Sequence, residues 1–173
     1  VEARRVLGEG VLEVTVEIKR ARQLPMMDLG RGADAFCAAF IDDGETLLTA
    51  AGFRTLASPN ARLFQTDIKR GHTEQHWTWN ETFQWRLPAE PAPGLVGRMA
   101  EAGLVEEAEC DPRRLVVMVY DKDQFTADDV IGCVVLELQR LRGSGPLEEW
   151  LPVVRPPLPP SKRSGGTFAA VAQ

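Results

Sequence analysis

Apolar and polar residues alternate along several short stretches of this chain. Val14, Val16 and Ile18 alternate with polar neighbours, which is the period of a strand that buries one face. Residues 36–41 form a short, continuous apolar run instead. Further strands are predicted at residues 64–69, 82–87, 115–120, 131–138, 149–153 and 166–172. Eight short strands separated by Gly, Pro and Asp clusters predict an all-β fold, an eight-stranded antiparallel β-sandwich.

One stretch has the period of a helix. Leu95, Met99, Ala102 and Val105 recur at intervals of three to four residues, which predicts an amphipathic helix. Prolines flank this stretch on both sides, so we expect a helical insertion at about residues 88–112. A second insertion, at about 44–60, is rich in small residues and is expected to be a surface loop. The prediction is a single domain over residues 1–173, with a core at about 10–172.

Composition and charge narrow the function classes. Hydrophobic residues make up 44% of the chain and charged residues 26%, as is usual for a globular protein. The net charge of −5 argues against nucleic acid as a partner, because phosphate binding needs a basic face. The chain opens on Val1 rather than Met, so we expect a module of a longer protein. The three cysteines form no C-x-x-C pair, which favours a reducing, cytoplasmic compartment.

Two acidic clusters carry the candidate chemistry. The first covers residues 27–34 and the second residues 120–129, and each lies between predicted strands. Calcium prefers about six to eight oxygen ligands, and Asp121 and Asp123, two apart in an extended segment, can point to one side. The alternative is that Asp and Gly serve only as turn residues. An EF-hand is excluded, because Thr126 and Gly132 stand where that motif needs Gly and Glu.

The order of several motifs resembles one known family. Residues 24–36, LPMMDLGRGADAF, resemble the first calcium loop of a C2 domain, and residues 119–132 resemble its third loop. Between them, WNETF at residues 79–83 resembles the family's W-N-E-x-F signature, and Trp150 lies in a matching terminal strand. The chain departs from the family pattern at Ala33 and Ala35, where Ser and Pro are usual. The resemblance spans about residues 10–155.

The resemblance implies a set of site residues. The carboxylate ligands for Ca²⁺ would be Asp28, Asp34, Asp121, Asp123 and Asp129. It also implies backbone carbonyl ligands from Met27 and Lys122, and membrane-inserting side chains at Leu29 and Phe125. Lys69 and Arg70 lie on the strand that carries a lipid-headgroup patch in some members, although two charges also fit an ordinary solvated strand face.

The resemblance also implies a topology and a function. We expect the family's second topology (type II), in which residues 166–172 close a sheet, with residues 1–9 as an alternative leading strand. The expected function is calcium-dependent binding to anionic phospholipids such as phosphatidylserine. The module would be cytoplasmic and would associate peripherally with membranes when it binds calcium. The alternatives are a calcium-independent C2 domain that binds a protein partner, and the regulatory part of an enzyme. The chain itself carries no catalytic motif that we recognise.

Overall fold

The structure is a computed structural model, and it describes residues 1–8, 10–25, 33–42, 63–70, 76–91, 113–123, 127–142 and 145–154. Its strands are β1 Glu2–Leu7, β2 Val11–Arg22, β3 Ala35–Asp42, β4 Phe64–Gln65, β5 His76–Pro88, β6 Arg114–Asp121, β7 Asp129–Glu137 and β8 Leu147–Glu148. A 3-10 helix follows β7 at Leu138–Arg142. Within these residues no helix has the length and apolar character needed to cross a membrane.

The strands form two antiparallel sheets of four. The first sheet has the order β5-β2-β1-β8 and the second the order β4-β3-β6-β7. In β2 every second residue is buried from Leu12 to Ile18, and these side chains face the second sheet. The predicted all-β sandwich is therefore confirmed.

The topology differs from the predicted one at the edge of the first sheet. Strand β1 pairs with β2 on one side and with β8 on the other, so that Ala3 lies opposite both Val16 and Leu147. The N-terminal strand thus fills the position that we predicted for residues 166–172, which lie outside the described residues. The type II prediction was wrong because the adjacent Arg4 and Arg5 obscure the alternation of β1. Backbone pairing to two neighbours holds the strand in place with little apolar side-chain surface.

The interior between the sheets is rich in tryptophan. Trp77, Trp79 and Trp85 on β5 are buried, and Phe83 packs beside them. The indole N–H groups of two of them are satisfied, since Trp77 donates to the Ala33 carbonyl and Trp79 to the Asp67 carbonyl, both at 2.9 Å. β5 therefore contributes much of the aromatic core.

Two predicted strands are shorter or shifted. The strand expected at 64–69 pairs regularly only at Phe64 and Gln65, because the buried Thr66 hydroxyl accepts the Cys37 N–H at 2.9 Å in place of a backbone carbonyl. The strand expected at 149–153 lies earlier in the chain, at Leu147–Glu148. Val154 then pairs with Cys133 on β7 and so connects the two sheets. The loop at 44–60 and residues 92–112 of the helical insertion lie outside the described residues.

Candidate functional site

At one end of the second sheet, three strand ends carry aspartates. Asp34 directly precedes β3, Asp121 ends β6 and Asp129 begins β7. The register pairs Ala35 with Asp121, and Asp121 with Asp129. These three aspartates, separated by up to 95 positions in the sequence, therefore lie at the same end of one sheet, because adjacent antiparallel strands meet where one ends and the next begins.

Asp121 is the buried centre of this group. It is 2% exposed, and its Oδ1 accepts the Asp34 backbone N–H at 2.7 Å. In return, the Lys122 N–H donates to the Asp34 carbonyl at 2.9 Å. A carboxylate taken out of water needs such hydrogen bonds to offset the cost of its burial. The two bonds fix the chain before β3 against the chain after β6.

A lysine and an aspartate brace the loop that follows β6. The Lys122 Nζ lies 2.8 and 3.1 Å from the two carboxylate oxygens of Asp128, and the Asp123 N–H donates to the same carboxylate at 3.3 Å. Burial raises the pKa of the neighbouring Tyr120 phenol, and the Asp128 charge raises it further. The sequence offered no signal for this brace, because a spacing of six residues has no regular geometry in a loop.

The site offers oxygen donors of the kind that calcium prefers, but its described side chains do not converge on one position. Carboxylate and carbonyl oxygens are the ligands that calcium prefers. Among the described residues, however, no group of three or more Asp, Glu, His or Cys side chains is arranged to hold a metal ion. The predicted ligands Met27 and Asp28, and the predicted inserting residues Leu29 and Phe125, lie outside the described residues. Asp34 and Asp121 are joined by a hydrogen bond from the Asp34 backbone N–H to the Asp121 carboxylate, a bond that involves one carboxylate and not two.

The predicted basic pair flanks the site on the β4 side. The Lys69 N–H donates to the Ala35 carbonyl at 2.9 Å, so Lys69 and Asp121 lie on opposite sides of Ala35. The Lys69 Nζ is 3.8 Å from the Asp67 carboxylate, and Arg70 is exposed. A partly neutralised lysine beside one exposed arginine gives only a small positive region.

Comparison with known proteins gives the family. The family described as C2 domain matches residues 12–96 and 104–153. Synaptotagmin-2 of Mus musculus is 23% identical over 138 residues, which is 80% of this chain and 24% of that protein, and Synaptotagmin-2 of Homo sapiens matches over the same length. The chain therefore spans about a quarter of the curated relatives it matches. Human GIVD cytosolic phospholipase A2 shares the fold at a TM-score of 0.52 and 18% identity, over 84% of this chain and 15% of that chain.

Proposed function

Because the chain belongs to the C2 domain family, we propose that it is a calcium-dependent module that binds anionic phospholipid membranes. The observation that supports this best is the meeting of Asp34, Asp121 and Asp129 at one end of the second sheet. Strand ends that bring aspartates to one end of a sheet offer the carboxylate oxygens that calcium prefers. The whole protein from which such a module comes can have a further activity, including an enzymatic one.

The proposed ligand set combines described and undescribed residues. The carboxylates of Asp28, Asp34, Asp121, Asp123 and Asp129 would hold Ca²⁺, and the carbonyls of Met27 and Lys122 would add oxygen ligands. The ion would supply positive charge toward the headgroups of lipids such as phosphatidylserine.

The residues of the chain have distinct tasks in this proposal. Asp121 is already buried in the folded protein, and its carboxylate accepts the Asp34 N–H. Part of the free-energy cost of ordering the site therefore belongs to folding and not to calcium binding. The Lys122 ammonium neutralises the Asp128 carboxylate, which is not one of the proposed ligands. Leu29 and Phe125 would enter the lipid beside the ion, and Lys69 and Arg70 would lie near the headgroups. The module would then be a cytoplasmic protein that joins the membrane surface peripherally.

Calcium titration tests the metal part of the proposal. We expect calorimetry to show binding at or below millimolar calcium, and the melting temperature to rise because the ion binds only the native state. The double variant Asp123→Asn/Asp129→Asn should lose at least tenfold in affinity. Glu137→Gln, at the opposite end of β7, is the matched control and should bind like wild type. Absence of heat and of a thermal shift in wild type would refute calcium binding.

Liposome sedimentation tests the membrane part. Burying a Leu or Phe side chain contributes roughly 1.5–3 kcal/mol, so Leu29→Ala/Phe125→Ala should lose at least tenfold in affinity for vesicles that contain phosphatidylserine. The loss should persist at high salt, which screens charges and not apolar contacts. Val11→Ala removes an exposed apolar side chain elsewhere and is the control. Equal vesicle binding by the double variant and the control would remove insertion from the mechanism.

A second candidate is calcium-independent binding of a protein partner. The Lys122–Asp128 ion pair favours it, since this pair neutralises one carboxylate of the loop without a metal. Under this alternative, chelator would leave both stability and partner binding unchanged, whereas the calcium-dependent module would lose its vesicle binding.

A further inference from the structure

A cleft of about 600 Å³ opens between the two sheets near the end of β2. Its volume lies within the range of small-molecule sites. The interior wall is apolar and buried, and consists of Ile18, Cys37, Trp79, Val117, Val119 and Val134. The segment at residues 150–153 forms part of the outer wall, since it crosses from β8 toward β7. None of the lining residues is a proposed calcium ligand.

The mouth of the cleft is cationic. Arg20, Arg22 and Trp150 line it. The guanidinium carbon of Arg22 lies 4.3 Å from the centroid of a Trp150 ring, and that of Arg20 lies 5.2 Å away. Both distances are within reach of a cation–π contact, which holds the two charges near the same edge of the cleft. Trp150 is 46% exposed, so this edge is open to solvent.

The two arginines follow the buried apolar residues of β2 at the end of the strand. The even-numbered positions of this strand are buried from Leu12 to Ile18 and then exposed at Arg20 and Arg22. Within the described part of the chain, neither arginine forms an ion pair with a carboxylate. Both guanidinium groups place positive charge at the mouth, in a protein whose net charge is −5.

An apolar interior with a cationic mouth is complementary to an anionic amphiphile. We propose that this cleft binds a single-chain fatty carboxylate, with the chain against the buried wall and the carboxylate at Arg20 and Arg22. Guanidinium groups match the planar carboxylate through two parallel hydrogen bonds. A cleft of about 600 Å³ suits the single apolar chain of a fatty carboxylate. The site is independent of the proposed calcium function.

Titration with laurate and with dodecanol, in the presence of chelator, tests the proposal. The two probes have the same chain length and differ in the charge of the headgroup. Because hydrogen bonds to charged groups are strong, we expect laurate to bind at least about tenfold more tightly than dodecanol. Arg20→Gln/Arg22→Gln should reduce laurate to the affinity of dodecanol. Arg4→Gln/Arg86→Gln removes the same charge from exposed positions of the first sheet and should change nothing.

Tryptophan quenching locates the bound chain without a core substitution. A laurate brominated along its chain should quench Trp79 and Trp150, which line the cleft, more than Trp77 and Trp85, which do not. Trp150→Phe separates the exposed contribution from the buried one. The proposal is overturned if laurate does not bind, if dodecanol binds equally well, or if all four tryptophans are quenched alike. Binding to phosphatidylserine vesicles without binding of monomeric laurate would also overturn it, and would assign the arginines to a membrane surface.

Discussion

The two sheets of this sandwich differ in how many of their faces are buried. In the first sheet, β2 buries the residues that face the interior and leaves Glu13, Thr15, Glu17 and Lys19 half exposed. In the second sheet, β3 is buried at every position from Ala35 to Asp42. The alternating sequence of β2 and the continuous apolar run of β3 are the signatures of these two environments.

A second apolar cluster accounts for the difference. It lies on the face of the second sheet that points away from the first, and it contains Phe36, Ala38, Phe40, Val116, Met118, Tyr120 and Cys133. The Phe36 and Tyr120 rings stack there with their centroids 5.1 Å apart. This face is therefore not a solvent-exposed surface that could carry a broad basic patch. The predicted basic pair, Lys69 and Arg70, lies beside this face, on the β4 side of the sheet.

The largest effect should come from removing a side chain of that second cluster. Phe40 is fully buried, so Phe40→Ala should cost about 3–5 kcal/mol of unfolding free energy through lost transfer and a cavity. Thr15→Ala, on the half-exposed face of β2, should stay within about 0.5 kcal/mol. Denaturant unfolding measures both. A small loss for Phe40→Ala would mean that this face is loosely packed and that the two sheets are more alike than the burial indicates.

A substitution at Gly132 tests how closely residues 153–154 pack against β7, the edge strand of the second sheet. A Cβ at this position would lie 2.6 Å from Val153 Cγ1 and 2.8 Å from the Val154 carbonyl oxygen. Gly132→Ala should therefore cost about 1–3 kcal/mol through overpacking. Gly145, whose Cβ would meet no atom within 4 Å, provides the matched Gly145→Ala control. Equal stability of the two variants would show that residues 153–154 do not pack closely on β7.

The reactivity of two cysteine thiols measures how well each face of the second sheet is protected from solvent. Cys37 faces the interior and Cys133 the second cluster. Burial raises the pKa of the Cys37 thiol from 9.0 to about 12, with a smaller contribution from Glu81, and burial also raises the pKa of Cys133. Both thiols should resist alkylation in the native protein and react on unfolding. Fast native labelling of Cys133 alone would show that its face opens.

The raised pKa of Cys37 predicts that the free energy of unfolding depends on pH. The native Cys37 thiol keeps its proton up to about pH 12, whereas the unfolded chain releases it above about pH 9. Stability is therefore lost as the pH rises through this window, by up to about 1.4 kcal/mol per pH unit for one group. Cys37→Ala should flatten this part of the curve, as measured by urea unfolding at stepped pH. An unchanged slope in the variant would contradict the assignment.

The smallest effect is expected on the exposed face of the first sheet. The Lys19 Nζ lies 2.8 Å from the Glu148 carboxylate and also contacts the Glu2 carboxylate. These two ion pairs link β2 to β8 and to β1. These hydrogen bonds raise the pKa of Lys19 and lower that of Glu148. Because exposed ion pairs contribute little and are screened, Lys19→Gln should change the melting temperature less than Gly132→Ala does. The change should vanish in about 1 M salt. A larger shift that survives salt would indicate a packing role for the lysine stem.

The sequence by itself determined the elements with strong local patterns. The alternation of β2 predicted a strand with one buried face, and the apolar run of β3 predicted a short strand. The motif order predicted the family, and the resemblance implied one shared site for the aspartates, which stays a prediction. These features are readable because side-chain period and burial are properties of a few consecutive residues.

The tertiary structure decided the features that depend on pairing between distant segments. β1 occupies the position between β2 and β8 through backbone hydrogen bonds, which leave no apolar pattern in its sequence. The Lys122–Asp128 brace and the approach of Trp150 to Arg20 and Arg22 likewise join residues with no regular spacing. Such contacts are selected by the packing of the whole sandwich, because a backbone hydrogen bond or a guanidinium can pair with many partners and only the fold determines which one is near.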